Sequence, residues 1–476
     1  MAMRWYCTNN PDHKCGTPPP GGKCLECEHP CTFRAPLRTP KKARSSAGGG
    51  RADARAGFRT GAVEPFVKAR RLLDIDPDST ERIPTGISEF DRVIGGGFVP
   101  SMTCVLGAPP GTGKSSLATH LCDAMSARGP VLYVSGEESE GQILTRAHRL
   151  GVSGENVFVV NETDLNVVLG HVEDVDPCFL VVDSLQTMAS ADVSGVIGSV
   201  SQSREAASAL NMICKSRGIV GLFINQVNKD GELAGAESSK HIVDCVLYLE
   251  SDKDSPLKFL RADKNRFGSV YEVGVFQHTE TAFEGVGDPS GVFLDGVRGP
   301  RAGAAPSFQS EGVRQFCVEV QALVARAATQ VVKRQIGGVQ YDRGQRVLGV
   351  LSAFCGLDLS QHDVFIGVKS GVRVRDPLCD LGIAAAVLSA KMGPDRFSSN
   401  VNRAYIGEVS LTGDVEGSLL VESKVANALR LGFDEIVVPR QALPKLSRTH
   451  RGDSRVRAIS SIRELRAVVE EGVRRG

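Results

Sequence analysis

The run Gly107-Ala108-Pro109-Pro110-Gly111-Thr112-Gly113-Lys114-Ser115-Ser116 combines glycines, one lysine and hydroxyls at a spacing that grips a chain of phosphates. Its glycines let backbone N–H groups wrap phosphate oxygens, Lys114 reaches the β and γ oxygens of ATP, and Ser115 offers a hydroxyl to Mg²⁺. One departure from the G-x4-G-K-[ST] pattern is Ala108 at the first glycine, with Gly107 one residue off register. Hydrolysis also needs a second metal anchor and a carboxylate that activates water. Asp183, closing the apolar run FLVVD, suits Mg²⁺; Glu137, in YVSGEES, suits the attacking water, with Glu138 as its adjacent rival. Gln226, closing FINQ, is placed to sense the γ-phosphate, so Lys114, Glu137 and Gln226 form the candidate catalytic set.

Elements must hold these residues in place. The loop follows the strand-like MTCVL ending at Leu106 and precedes the helical SSLATHLCDAMSA; VLYV (Val131 to Val134), FLVV (Phe179 to Val182) and VGLFI (Val220 to Ile224) follow at intervals filled by helical patterns. Short apolar runs separated by helices predict a parallel sheet buried on both faces, an α/β core spanning 61–295. A Gly/Ala/Pro-rich joint from Gly296 to Ser307 predicts a boundary, and a second α+β domain is expected over 308–476, with strands near Cys317 and Val364 and helices after Asp380 and Glu422.

The 476 residues are 41% hydrophobic and 23% charged, ordinary for a globular chain, with no apolar run long enough to span a bilayer and no secretory layout at the start, which points to the cytoplasm and away from membranes. A net charge of +1 conceals a local asymmetry: from Arg34 to Thr60 eight Lys or Arg face one acidic residue, Asp53, among Ala, Gly, Ser and Pro, a flexible basic linker over 34–60. Eight of the thirteen cysteines sit singly in apolar stretches from Cys104 to Cys379, as reduced core thiols do. The other five crowd residues 1–33, a segment too poor in aliphatics to build a core without a metal or crosslink. Cys24-Leu-Glu-Cys27 is one zinc knuckle; the other is irregular, since seven residues separate Cys7 from Cys15. Zn²⁺ on Cys7, Cys15, Cys24 and Cys27 is expected, with Cys31, His13 and His29 as substitutes.

Further segments carry a resemblance. TGISEFDRVIGGGFVP (Thr85 to Pro100), VVDSLQT (Val181 to Thr187), HIVDCVLYLE (His241 to Glu250) and above all KNRFG, Lys264-Asn265-Arg266-Phe267-Gly268, followed by EVGVF, resemble the bacterial RadA (Sms) DNA repair proteins from about Thr85 to the C-terminus. The resemblance implies a RecA-like P-loop ATPase core behind a small N-terminal zinc module, with a C-terminal domain similar to that of Lon protease. It implies a ring, expected to be a hexamer, whose DNA-stimulated ATP hydrolysis moves it along single-stranded DNA and drives branch migration on branched DNA beside the RecA recombinase. KNRFG is linked there to DNA engagement and to its coupling with ATP turnover, through Lys264 and Arg266 above all; such cations can pair with phosphates or reach a neighbouring subunit's nucleotide.

In proteolytic Lon-type domains a serine nucleophile and a lysine base act together. Here DPLCDLGIAAAVLSA puts Asp380 at the serine slot and KVANALRLGFDEIVVP puts Glu422 at the lysine slot, and a carboxylate pair supplies neither a nucleophile nor a neutral amine. A one-residue shift would substitute Cys379 and Lys424. The rival functions are therefore an ATP-dependent Lon-like protease and a KaiC-like signalling ATPase, the second of which gives KNRFG no purpose.

Overall fold

A computed structural model describes residues 81–227, 240–251, 257–279, 283–294, 299–369, 373–393, 397 and 401–474, with three strand fragments nearer the N-terminus. The chain divides into two units, Met1–Arg71 and Leu72–Gly476. In the first, β1 (Trp5–Cys7) pairs antiparallel with β2 (Lys14–Cys15) and β3 (Cys31–Phe33).

The second unit opens with α1 (Ser88–Ile94) and then alternates strand and helix: β4 (Thr103–Ala108), α2 (Lys114–Ser126), β5 (Val131–Ser135), α3 (Glu140–Arg149), β6 (Val157–Asn161), α4 (Leu165–Val175), β7 (Phe179–Asp183), α5 (Val200–Arg217) and β8 (Val220–Gln226). Then come β9 (Cys245–Ser251), β10 (Leu257–Asn265), β11 (Val273–His278) and β12 (Phe283–Gly285). They form one sheet in the order β12-β11-β10-β9-β4-β8-β7-β5-β6. Strands β4 to β9 are parallel, and every residue of β4, β5 and β7 is buried, because helices cover both faces. The apolar runs read from the sequence are these strands. The antiparallel extension β10–β12 was not foreseen as strands: LKFLRADKN mixes cations among its apolar positions, and it folds as a strand because β9 and β11 flank it.

A seven-stranded sheet among the described residues builds the C-terminal domain around the hairpin β13 (Ala304–Glu311) and β14 (Arg314–Arg326). The expected joint is shorter than read: Ala304 to Ser307 are already strand, paired with Val318 to Gln321 of β14. The two domains meet along α1. Glu89, 1% exposed, accepts from Val275 N in β11 at 2.8 Å and pairs with Arg314 of β14, whose other amino group donates to Gly287 O. Among the described residues no helix is long and apolar enough to cross a membrane.

Candidate functional site: a nucleotide cleft

The phosphate loop leaves the C-terminal end of β4 and enters α2. Gly111 (φ +76°) and Gly113 (φ +99°) take left-handed backbone conformations that glycine adopts without strain, and the α2 N-terminus opens onto the cleft they shape. A cleft of about 670 Å³ is lined on this side by Gly111, Gly113, Lys114, Ser115 and Ser116. Gly107 and Ala108, read as part of the nucleotide loop, are the last residues of β4, and neither they nor Pro109, Pro110 and Thr112 line the cleft. Ala108 is wholly buried, so its methyl packs in the sheet, which explains how alanine can stand at the pattern's first glycine.

The magnesium candidates meet. Ser115 Oγ donates to Asp183 Oδ2 at 2.8 Å, while Asp183 Oδ1 is buried without a hydrogen-bond partner. A hydroxyl and a carboxylate with one unsatisfied oxygen are hard-oxygen donors of the kind Mg²⁺ prefers, so the residues fit the ion. When bound, Mg²⁺ neutralises charge on the β and γ oxygens. Burial raises the Asp183 carboxyl above its ordinary range, against the lowering effect of hydrogen bonds from Ser115 and Tyr133.

The neighbouring glutamates part ways. Glu137 Oε1 accepts from Ser184 Oγ at 2.7 Å and from Gln226 Nε2 at 3.2 Å, so the strand ends of β5, β7 and β8 converge on it. Glu138 turns back to pair with Arg146 of α3. The turn that separates them is fixed by Ser135 Oγ, which accepts from both backbone N–H groups. Tyr133, Arg146 and Ser184 escaped the sequence reading, because each meets a partner on another element rather than within one motif.

KNRFG closes β10 against α1. Lys264 Nζ donates to Lys240 O (2.7 Å) and Val243 O (2.6 Å), and burial followed by the charge of Arg266 pushes its ammonium below the usual range. Asn265 Nδ2 donates to Val93 O, its Oδ1 accepts from Phe267 N, and Phe267 O accepts from Arg82. A Cβ on Gly268 would lie 2.9 Å from Asn265 Nδ2 and 3.2 Å from the Gly95 Cα, so glycine permits the close approach of the two loops. Four of the five residues thus have internal duties. Arg266 differs: its side chain is 56% exposed and pivots on Asp244 Oδ1 at 3.3 Å, while Asp244 is held by Lys215 and by Thr103 N of β4.

Comparison with known proteins fits this geometry. An AAA domain family model matches residues 69–232. The DNA repair protein RadA of Streptococcus pyogenes serotype M6 is 37% identical over 374 residues, which are 78% of this chain and 82% of that one. RadA of Mycolicibacterium smegmatis is 38% identical over 383 residues (79% and 81%), and that of Listeria monocytogenes 36% over 420 residues (88% of each). The chain belongs to the bacterial RadA family of DNA repair proteins. As a RadA family member it is a RecA-like P-loop ATPase of DNA repair, the fold class its sequence implied. Among solved structures, a KaiC-like protein of Pyrococcus horikoshii is 21% identical with a TM-score of 0.37, covering 44% of this chain and 99% of that one.

In this RadA-family chain the two residues at the protease slots have separate partners. Asp380, raised to about 7 by burial against the opposing charge of Arg343, lies 2.9 Å from Arg343 Nε; Glu422 accepts from Ser447 N and pairs with His450. The shifted pair does converge: Lys424 and Cys379, both fully buried, share Phe308 O. Lys424 is nonetheless committed to Asp376 at 2.6 Å. Burial raises that carboxyl, and the Lys424 charge outweighs it, holding the acid below its ordinary range. Burial also pushes the Cys379 thiol up to about 12, so it keeps its proton at pH 8. Lys424 is thus the cation of a buried ion pair with Asp376, and the inaccessible thiol beside it keeps its proton, which argues against a nucleophile with its base. Iodoacetamide at pH 8 should therefore leave Cys379 unmodified in the native protein and label it in denaturant, as peptide mass spectrometry would read; native labelling would reopen the protease reading.

Zinc on Cys7, Cys15, Cys24 and Cys27, with His13, His29 and Cys31 as substitutes, falls outside the described side chains; of the backbone, register sets Cys7 opposite Cys31. Among the described residues no cluster of His, Cys, Asp and Glu is arranged to hold a metal.

Proposed function

We propose that the chain is a DNA-dependent ATPase that translocates on single-stranded DNA and drives branch migration together with RecA, as a ring of identical subunits. The observation that carries this reading is the shared frame of the two sites. Asp244 bonds Thr103 at the start of the strand that ends in the phosphate loop, and the same carboxylate anchors the exposed Arg266. A guanidinium held this way can pair with a phosphate of DNA or reach the nucleotide of an adjacent subunit, and either links polynucleotide contact to turnover. Lys264, fixed on carbonyls, supports the turn that presents Arg266. The C-terminal domain, similar to that of Lon, serves this reading as a scaffold for assembly and DNA binding. The N-terminal cysteines belong to it as a zinc module.

ATP hydrolysis measured with and without single-stranded oligonucleotide tests the proposal. Stimulation is expected in the wild type, and Arg266→Ala should lose about tenfold of the stimulated rate. If Arg266 contacts a phosphate, the variant's log-affinity against log-salt slope should also fall by about 0.7. A wild-type rate indifferent to DNA would overturn the reading.

A further inference from the structure

Asp183 is one end of a buried circuit of hydrogen bonds. Tyr133 Oη donates to Asp183 Oδ2 at 2.9 Å, beside the bond from Ser115 Oγ. Arg146 Nη2 donates to Tyr133 Oη at 3.2 Å, and its Nε donates to Thr119 Oγ1 at 3.1 Å. Thr119 Oγ1 in turn donates to Ser115 O at 2.8 Å, one turn back along α2. Tyr133 is 1% exposed and Arg146 7% exposed, so the circuit runs through the interior.

Its direction is fixed by chemistry. A guanidinium only donates, so Arg146 occupies a lone pair on each hydroxyl it meets. Each hydroxyl has a single proton, which must then point the other way: from Tyr133 to Asp183, and from Thr119 to the Ser115 carbonyl. Arg146 is itself anchored by Glu138, the glutamate that the water-activating role leaves unused. The circuit thus grips the carboxylate and the backbone of the serine, and it leaves Asp183 Oδ1 as the oxygen without a protein partner.

We propose that Tyr133, oriented by Arg146, is a positioning residue that holds the Asp183 carboxylate so that its free oxygen faces the Mg²⁺ carried with ATP. The inference rests on the reading of Asp183 as a magnesium anchor. Partners that orient a metal ligand contribute to metal affinity without touching the ion, typically by about 10- to 100-fold.

The experiment measures binding of a fluorescent ADP analogue to the full-length protein in Mg²⁺ and again in EDTA, taking the ratio of the two affinities as the magnesium gain. Tyr133→Phe preserves the ring and removes only the hydroxyl. It should shrink the gain by about tenfold while the EDTA affinity stays within about twofold of wild type. A full gain in Tyr133→Phe overturns the inference, and so does an equal loss in Mg²⁺ and EDTA, which would mark a packing role. Arg146→Met, which removes the donor that orients the Tyr133 hydroxyl, should shrink the gain in the same direction; a full gain in Arg146→Met would remove Arg146 from the circuit. Asp183→Asn separates the two levels of the argument. If it keeps the gain, the magnesium reading of Asp183 fails; if it loses the gain and Tyr133→Phe does not, only the positioning role fails.

Discussion

Lys114→Ala should lower ATP turnover by about a thousandfold, leave DNA binding in place and abolish branch migration in the presence of RecA. The expectation follows from where the side chain starts. Lys114 is the first residue of α2, 9% exposed, directly after the left-handed Gly113, and it lines the cleft beside Ser115. Its ammonium is the flexible cation that can follow charge onto the γ-phosphate as the bond breaks, and losing one preorganised donor to such charge costs about 10²–10³ in rate. Methylene loss adds little, because the alanine still packs at the helix start. Steady-state phosphate release gives the rate, and fluorescence anisotropy of a labelled oligonucleotide gives the retained binding. A variant within tenfold of wild type would show that the cleft is not where ATP is spent.

Glu137→Gln should also lower the hydrolytic rate by about 10²–10⁴, with nucleotide still bound. The amide matches the carboxylate in size and can still accept from Ser184 Oγ, so the geometry at the strand ends survives while the proton acceptor is lost. Glu138→Gln is the control. It weakens the pair with Arg146 but leaves the Glu137 pocket intact, and a loss within about tenfold is expected. Single-turnover hydrolysis distinguishes the two, and equal damage from both would remove the water-activating role from Glu137.

Much of this site was legible because its parts are contiguous. GTGKS is a local pattern whose left-handed backbone turns glycine makes without strain at Gly111 and Gly113, and FLVVD announces a strand with an acid at its tip. The different partners of Glu137 and Glu138 were not legible from the chain, since Ser184 and Gln226 lie tens of residues away from Glu137. The same holds for Tyr133, which looks like one more apolar strand residue until β5 is laid beside β7 and its hydroxyl meets Asp183. KNRFG was visible as a marker, but the division of labour inside it was not. A lysine that caps carbonyls and an arginine that faces solvent read alike as cations. In the C-terminal domain the letters of Cys379 and Lys424 suggested chemistry, and only their burial and the hold of Asp376 give them a core role.

The pairing of Glu89 with Arg314 bears on how shortened versions of this protein should be interpreted. A chain ending ahead of Arg314 keeps the whole nucleotide cleft, yet it strips Glu89, an acid that is 1% exposed in the full molecule, of its shorter ion pair and leaves it only Arg92 at 3.8 Å. That acid sits on the helix whose Val93 carbonyl receives Asn265, so the damage spreads toward the very loop that presents Arg266. An inert fragment would then report a wounded ATPase domain rather than a missing accessory. Making the same cut in a Glu89→Gln background tells the two apart.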